Sequence, residues 1–286
     1  MLRIGWFATG RGEGSRGLLR FVADAIGEGR LDARIEFVFS NREPGEAEGS
    51  DAFFELVRSY GFPLVTLSSA RYRREHGGGP MSQHREGFDR AVISLLQPYQ
   101  PDVCALAGYM LICSGEMCRQ YPLLNLHGAL PDGPTGTWQS VVWDLIASGA
   151  TRTGSMIHLA TEEVDRGPVL SHCELPIVGG QFDEARKALA GRDTGQVRRE
   201  EGEENELFRL IRAEGYRREP HLLLATLQAV ADGRVRVRPG EALDAKGNAL
   251  ADTHAAGFSL TAEIEAAISR DAGFPLSREW QLENGE

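Results

Sequence analysis

Two short stretches of this chain carry side chains whose types and spacing suit acyl transfer. The first is Leu124-Asn125-Leu126-His127-Gly128-Ala129-Leu130-Pro131. Alternate residues of a strand share a face, so Asn125 and His127 emerge on one side of the backbone. The second is Val164-Asp165-Arg166-Gly167-Pro168, a tight glycine-containing loop that carries an acid. An amide stabilises a developing oxyanion, and an imidazole assists it or moves a proton. A carboxylate orients the imidazole and helps to deprotonate an attacking amine. Singly, each residue has an ordinary use: Asn125 caps a strand end, His127 sits satisfied in a core, Asp165 forms a turn. Their order, spacing and flanking prolines point to joint use.

A third stretch, Gly12-Glu13-Gly14-Ser15-Arg16-Gly17, lies between a short apolar run and a helical pattern. Its GxGxxG spacing is that of a dinucleotide fingerprint, which captures an anion at a helix N-terminus. That opens a nicotinamide-dependent oxidoreductase reading. The second strand ends in Ser40-Asn41-Arg42 rather than in a ribose-binding acid, so only a 2′-phosphate, as in NADP, would fit. A phosphate carried by another ligand, or a plain tight turn, uses the same residues.

The elements that must position these residues follow from apolar periodicity. Residues 4–8 read as a strand, followed by a helix with Leu18, Leu19, Phe21, Val22, Ala25 and Ile26 on one face. Strands at 33–39, 63–67, 103–107 and around Asn125 alternate with helices at 52–60, 87–96 and 138–148. This alternation implies βαβ units and a mainly parallel sheet. Residues 153–159 and 169–175 read as two strands joined by the Asp165 loop, antiparallel or mixed with the main sheet. Residues 179–204 are polar with clustered charge and read as an exposed, mobile insertion. A helix over 206–232 is expected to break near Gly215 and Pro220, and 235–237 is the expected last strand. The organisation expected is a domain at 1–238 and an extension at 239–286, with one helix at 261–269.

Composition narrows the classes. The chain has 286 residues, 42% hydrophobic and 25% charged, which suits one large domain or two small ones. A net charge of −10 argues against a nucleic-acid footprint. Cys104, Cys113, Cys118 and Cys173 show no CxxC spacing and, with no secretory leader, read as reduced thiols of a cytoplasmic protein. No apolar run approaches the roughly 18 residues that a membrane span needs.

Asn-x-His followed by Leu-Pro, and then Asp165-Arg166-Gly167-Pro168-Val169, resembles the folate-dependent formyltransferases over residues 2–178, with a weaker echo at 219–237. The resemblance implies an α/β fold, a Rossmann-like and mainly parallel sheet flanked by helices. It implies formyl transfer from 10-formyltetrahydrofolate, without a metal, to the amine of a phosphorylated acceptor, glycinamide ribonucleotide first. Asn125, His127 and Asp165 would be catalytic, with His158 behind them. Gly12, Glu13, Gly14, Ser15 and Arg16 would hold the substrate phosphate. Arg16 replaces the family's asparagine there, and Glu13 is expected to point outward.

Gly108-Tyr109-Met110-Leu111-Ile112-Cys113 is similar to the family's Gly-Phe-Met-Arg-Ile-Leu. By that likeness Met110, Leu111, Ile112 and Cys113, with Ala160, Thr161, Glu162, Glu163 and Val164, would form the folate pocket. Gly108, Trp138, Gln139 and Glu219 would meet the acceptor. Leu111 removes an arginine contact to the folate tail. Gly128-Ala129 replaces Pro-Ser, and Thr135-Gly136-Thr137-Trp138-Gln139 replaces the usual Tyr/Phe-Pro-Gly-x-His. The rival readings are a formyltransferase for another amine (an amino-sugar nucleotide or amino acid), a formyltetrahydrofolate hydrolase, the NADP-dependent oxidoreductase, and a non-catalytic folate-binding module. The partners expected are small molecules, with no nucleic acid and no membrane; a homodimer stays open.

Overall fold

The computed structural model describes residues 1–271. The first half alternates as the apolar pattern requires: β1 (Leu2–Phe7), α1 (Glu13–Gly27), β2 (Ala33–Ser40), α2 (Glu48–Ser59), β3 (Leu64–Thr66), α3 (Ser69–Glu75), α4 (Arg85–Leu96) and β4 (Val103–Leu106). Then come α5 (Gly115–Gln120), β5 (Leu123–His127), α6 (Trp138–Ala147), β6 (Arg152–Leu159) and β7 (Val169–Pro176). The last part holds α7 (Gly180–Ala188), α8 (Thr194–Glu200), α9 (Glu206–Ala231), β8 (Val235–Arg238), β9 (Glu241–Asp244), α10 (Leu250–Thr253), β10 (Phe258–Ser259) and α11 (Thr261–Asp271).

Eight strands form one sheet in the order β10-β7-β6-β5-β4-β1-β2-β3. Strands β1 to β5 are mutually parallel, β6 runs antiparallel to both β5 and β7, and β10 lies parallel to β7. Chain order reverses between β1 and β4, so the loops leaving their carboxyl ends splay apart and leave a crevice. Both faces of the sheet are covered. Ile4 and Trp6 pack with Leu19, Phe53 and Leu223 of α1, α2 and α9. Phe7, Phe37 and Phe39 pack on the other face with Phe88 of α4 and Met117 of α5.

Several expectations need correction. The helix over 206–232 does not break at Gly215 and Pro220: α9 is continuous through both. A proline inside a helix costs about 3 kcal/mol, but here Leu207, Phe208 and Ile211 on one side and Leu222, Leu223 and Leu227 on the other are buried. Their burial on both sides holds the helix through the interruption. The segment 179–204, expected as an exposed insertion, is largely exposed but not irregular. It forms α7 and α8, and their Ala185 and Val197 are buried in a cluster with Val141 of α6 and Phe208 of α9. Residues 235–237 do form a strand, β8, but not the last: it pairs with β9 in a separate hairpin, and β10 follows. The boundary expected at 238/239 cuts that hairpin. Beyond it, β10 joins the main sheet, and Leu250, Leu260, Ile264 and Ile268 are buried in its core. Residues 272–286 of the expected extension lie outside the described residues. No helix among the described residues is long and apolar enough to cross a membrane.

Candidate active site

The site assembles where β5 meets the reversed strand β6. Asn125 lies directly across from His158 in that antiparallel pair, and His127 across from Met156. Cross-strand partners share a face, so the amide of Asn125 reaches the ring of His158, with Nδ2 3.0 Å from Nε2. The loop after β6 then returns the chain tightly enough to present Asp165. Gly167 makes this return possible, since a Cβ there would collide with the carbonyl of Leu159. Asp165 has φ +56°, the only positive φ at a non-glycine among the described residues. Aspartate is one of the few side chains that tolerates this region.

Asp165 is the hub. Its Oδ1 accepts from Asn125 Nδ2 at 3.3 Å, and its Oδ2 accepts from the Gly136 amide at 3.1 Å. His127 Nδ1 is 3.7 Å from Oδ2 and His158 Nε2 is 3.5 Å from Oδ1. All three side chains are buried, at 6% exposed for His127, 8% for Asp165 and 1% for His158. Burial pushes the Asp165 carboxyl up, but the His158 and His127 rings beside it and the Gly136 amide outweigh it. The carboxyl is therefore held below its ordinary value.

Backbone carbonyls assign the ring protons. His158 Nδ1 is 2.9 Å from the Leu159 oxygen and His127 Nε2 is 3.0 Å from the Pro134 oxygen. A carbonyl only accepts, so each of these nitrogens carries hydrogen. His158 Nε2 is then free to accept from Asn125, which fixes which end of the amide faces Asp165. His127 keeps Nδ1 toward the carboxylate. A second proton on that ring would find an acceptor on each side.

The glycine loop caps α1 with Gly12. Gly108, at φ +76°, allows the loop after β4 to close on it, because a Cβ there would strike Ser15 Oγ. Thr9 Oγ1 donates to Asn41 at 2.8 Å and accepts from the Met110 amide at 2.9 Å, so the ends of β1, β2 and the β4 loop are tied together. Glu13 does not point outward as expected. It turns onto Arg16 at 2.8 Å and Arg20 at 3.1 Å, because two guanidinium groups lie within reach along the same helical stretch.

On the other side of the crevice, Met110 and Ile112 are each 46% exposed and Val164 is 43% exposed, an apolar rim. Leu111 and Ala160 pack against the aromatic cluster behind the rim. The Cys113 side chain is not part of the rim: it is buried with Phe88 and Met117, and burial pushes its thiol up. Thr161 Oγ1 is bonded to the Glu163 carbonyl at 3.0 Å, Glu163 is exposed, and Glu162 is paired with Arg119 at 2.6 Å.

Trp138 opens α6 and leans on Phe208 with ring centroids 5.8 Å apart. The Gln139 amide is turned to Glu203 at 3.3 Å. Glu219 on α9 sits beside the catalytic strand, its Oε1 3.7 Å from where a Cβ on Gly128 would lie. Sequence reading missed two neighbours, Arg212 and Tyr216. The Arg212 guanidinium stacks 3.2 Å from the Tyr216 ring centroid and 4.7 Å from that of Trp138, and its Nη1 donates to Glu219 at 2.7 Å. Residues 212, 216 and 219 share one helical face, a spacing visible in the sequence. No group of three or more His, Cys, Asp or Glu among the described residues is arranged to hold a metal.

An amide, an imidazole and a fixed carboxylate thus meet at one strand end, between the N-terminus of α1 and an apolar-rimmed crevice at the sheet's switch point. Together they define a formyl-transfer enzyme. The sequence model of the formyl transferase family matches residues 11–191, more than half of the chain, and the chain belongs to that family. The match overturns the oxidoreductase reading of residues 12–17.

The chain is 29% identical over 176 residues to phosphoribosylglycinamide formyltransferase of Escherichia coli (strain K12), covering 60% of this chain and 73% of the relative. It superposes on glycinamide ribonucleotide transformylase 1 from Symbiobacterium toebii with a TM-score of 0.58 and 26% identity, over 85% of this chain and 93% of that one. The phosphoribosylglycinamide formyltransferase structure from Coxiella burnetii, 21% identical, shares the fold with a TM-score of 0.62 over 90% of this chain and 98% of the other.

Proposed function

We propose that the protein transfers the formyl group of 10-formyltetrahydrofolate to the amine of a phosphorylated acceptor, glycinamide ribonucleotide first. The observation that carries this is the Asp165 carboxylate, held charged between Asn125 and His127 at the end of β5. The relatives' names supply the acceptor. The acceptor phosphate is assigned to the Gly12–Arg16 loop, where backbone amides at the start of α1 and the Ser15 hydroxyl are offered to an anion. The pterin is assigned to the apolar rim of Met110, Ile112 and Val164, which an aromatic ligand would cover. The four cysteines are all free and buried, which suits a reducing compartment such as the cytoplasm.

The chain's residues then divide the work. The formyl oxygen takes one hydrogen of Asn125 Nδ2, in place of the long 3.3 Å contact to Asp165. Protonated His127 adds its positive charge beside the oxyanion that develops at the formyl carbon. Asp165 steadies that imidazolium and helps to move the proton that the amine loses, directly or through water. His158 keeps the Asn125 amide in the orientation that donates. Removing one such oxyanion donor typically costs about 100- to 1,000-fold in turnover.

The test is tetrahydrofolate release from 10-formyltetrahydrofolate with glycinamide ribonucleotide, with other amines, and with no amine. Release that depends on glycinamide ribonucleotide supports the reading. Release with another amine only would refute the acceptor, and release without any amine would make the protein a hydrolase.

A further inference from the structure

Among the described residues, Arg212 is the strongly buried cation on the acceptor side that the catalytic scheme leaves unused. Its side chain is 16% exposed and Glu219 is 8% exposed. Stacking on Trp138 and Tyr216 fixes the guanidinium, and Nη1 lies 3.9 Å from where a Cβ on Gly128 would be, next to His127. The Tyr216 ring lies 3.6 Å from the corresponding position at Gly14, in the glycine loop. Arg212 therefore connects the residue after His127 with Glu219 and, through the Tyr216 ring, with the glycine loop.

The chemistry of the acceptor makes this placement consequential. An amine attacks only as the free base, and an unpaired, nearly buried carboxylate beside it would hold it as ammonium. Resting on the formyl-transfer reading, we propose that Arg212 is a positioning residue that pairs with Glu219 so that the acceptor amine is presented unprotonated. The ammonium loses one proton to solvent, the free amine nitrogen bonds to the formyl carbon and gives up a second proton, the bond from that carbon to N10 of the folate breaks, and N10 takes up a proton. The other charged or titratable groups around the pair are Tyr216 on α9, Cys173 from β7, His127 next to Gly128 and, beyond the Tyr216 ring at Gly14, the Glu13–Arg16 pair of the glycine loop. Glu214 and Arg218 face Glu265 of α11 instead.

The experiment is the pH profile of kcat at saturating glycinamide ribonucleotide and 10-formyltetrahydrofolate, with kcat/KM measured alongside. The profile of kcat reports groups in the bound complex, whereas kcat/KM reports the free enzyme and free substrate. Arg212→Met should move the acid limb of kcat upward by about one to two pH units, with the alkaline plateau recovered and the limb of kcat/KM unmoved. Arg212→Lys should restore the limb, and Glu219→Gln should move it the opposite way. Should Arg212→Met not fold, the Glu219→Gln shift decides the matter. A uniform loss at every pH, or a limb that moves in kcat/KM as well, would overturn the proposal, the latter assigning the effect to His127. No transfer by the unmodified protein would overturn the function reading and this inference with it.

Discussion

Asp165→Asn isolates the charge at the hub of the site. Asparagine is the residue that best keeps the backbone there, because it tolerates the left-handed φ of +56° that Asp165 adopts. Its amide keeps one of the two accepting contacts and turns the other into a donor facing a donor, either Asn125 Nδ2 or the Gly136 amide. Losing one such bond costs about 1–2 kcal/mol, a few degrees of melting temperature in a chain of this size. Catalysis loses far more. A full charge about 4 Å from an imidazolium, at an effective dielectric near 20, is worth about 4 kcal/mol, or about three decades of rate. Tetrahydrofolate release measured under saturating substrates should fall about 1,000-fold, with circular dichroism unchanged. A loss below tenfold would refute the reasoning that the carboxylate stabilises His127 during transfer.

The same variant has a pH signature. The Asp165 carboxyl is held low in the folded chain, so its contribution to stability is complete above the ordinary carboxylate value of about 3.9. It is lost as pH falls through the lower folded value. The melting difference between wild type and Asp165→Asn should therefore shrink on acidification below about pH 4. A difference that stays constant to the lowest pH would contradict that assignment.

Three further outcomes test the surroundings. Glu13→Gln frees Arg16 and Arg20 from their shared carboxylate and should lower KM for a phosphorylated acceptor about three- to tenfold at low salt; an unchanged KM would take the phosphate away from this loop. Gly108→Ala forces a side chain into the left-handed region and against Ser15 Oγ, and should cost about 1–3 kcal/mol of stability and raise acceptor KM at least tenfold; wild-type melting and KM would show that the close approach is not needed. Asp89 is buried and held above its ordinary value by burial, although it accepts the Ser114 amide. Its ionisation destabilises the fold only once pH rises above the ordinary value, so Asp89→Asn should raise the melting temperature at about pH 7.5 and leave it unchanged near pH 3; a lower melting temperature at the higher pH would mean that the Ser114 contact dominates.

The parts of the molecule that were legible in the sequence are those where local pattern and tertiary role coincide. Strands β1, β2 and β4 are apolar runs buried between two helix layers, and α1 presents one apolar face, so period and burial carry the same message. The pairing of Asn125 with His127 is likewise a property of two positions in one strand. Cys113 shows the opposite case. A motif placed it in a pocket wall, but at a loop the direction of a side chain follows from what packs beneath it, here Phe88 and Met117. The segment 179–204 reads as solvent-exposed by composition, yet Ala185 and Val197 suffice to seat two short helices on α6 and α9. Burial of so few residues leaves almost no periodic trace.

Chemistry and specificity are carried by different parts of the fold. The trio proposed as catalytic hangs on backbone constraints: the β5–β6 register, the Gly167 return and the left-handed Asp165. Each admits few alternatives, because a shift of one residue in register would turn Asn125 and His127 to the other face. The proposed acceptor wall is built from helix surfaces instead, with Trp138 on α6 and Arg212, Tyr216 and Glu219 on α9. Side chains on a helix face can be exchanged without moving the strands. The departures from the family pattern follow that division: Gly128 and Ala129 leave space, and the Arg212 stack occupies the wall beside it. A sheet that fixes formyl transfer can in this way serve a chosen amine through a few residues on two helices.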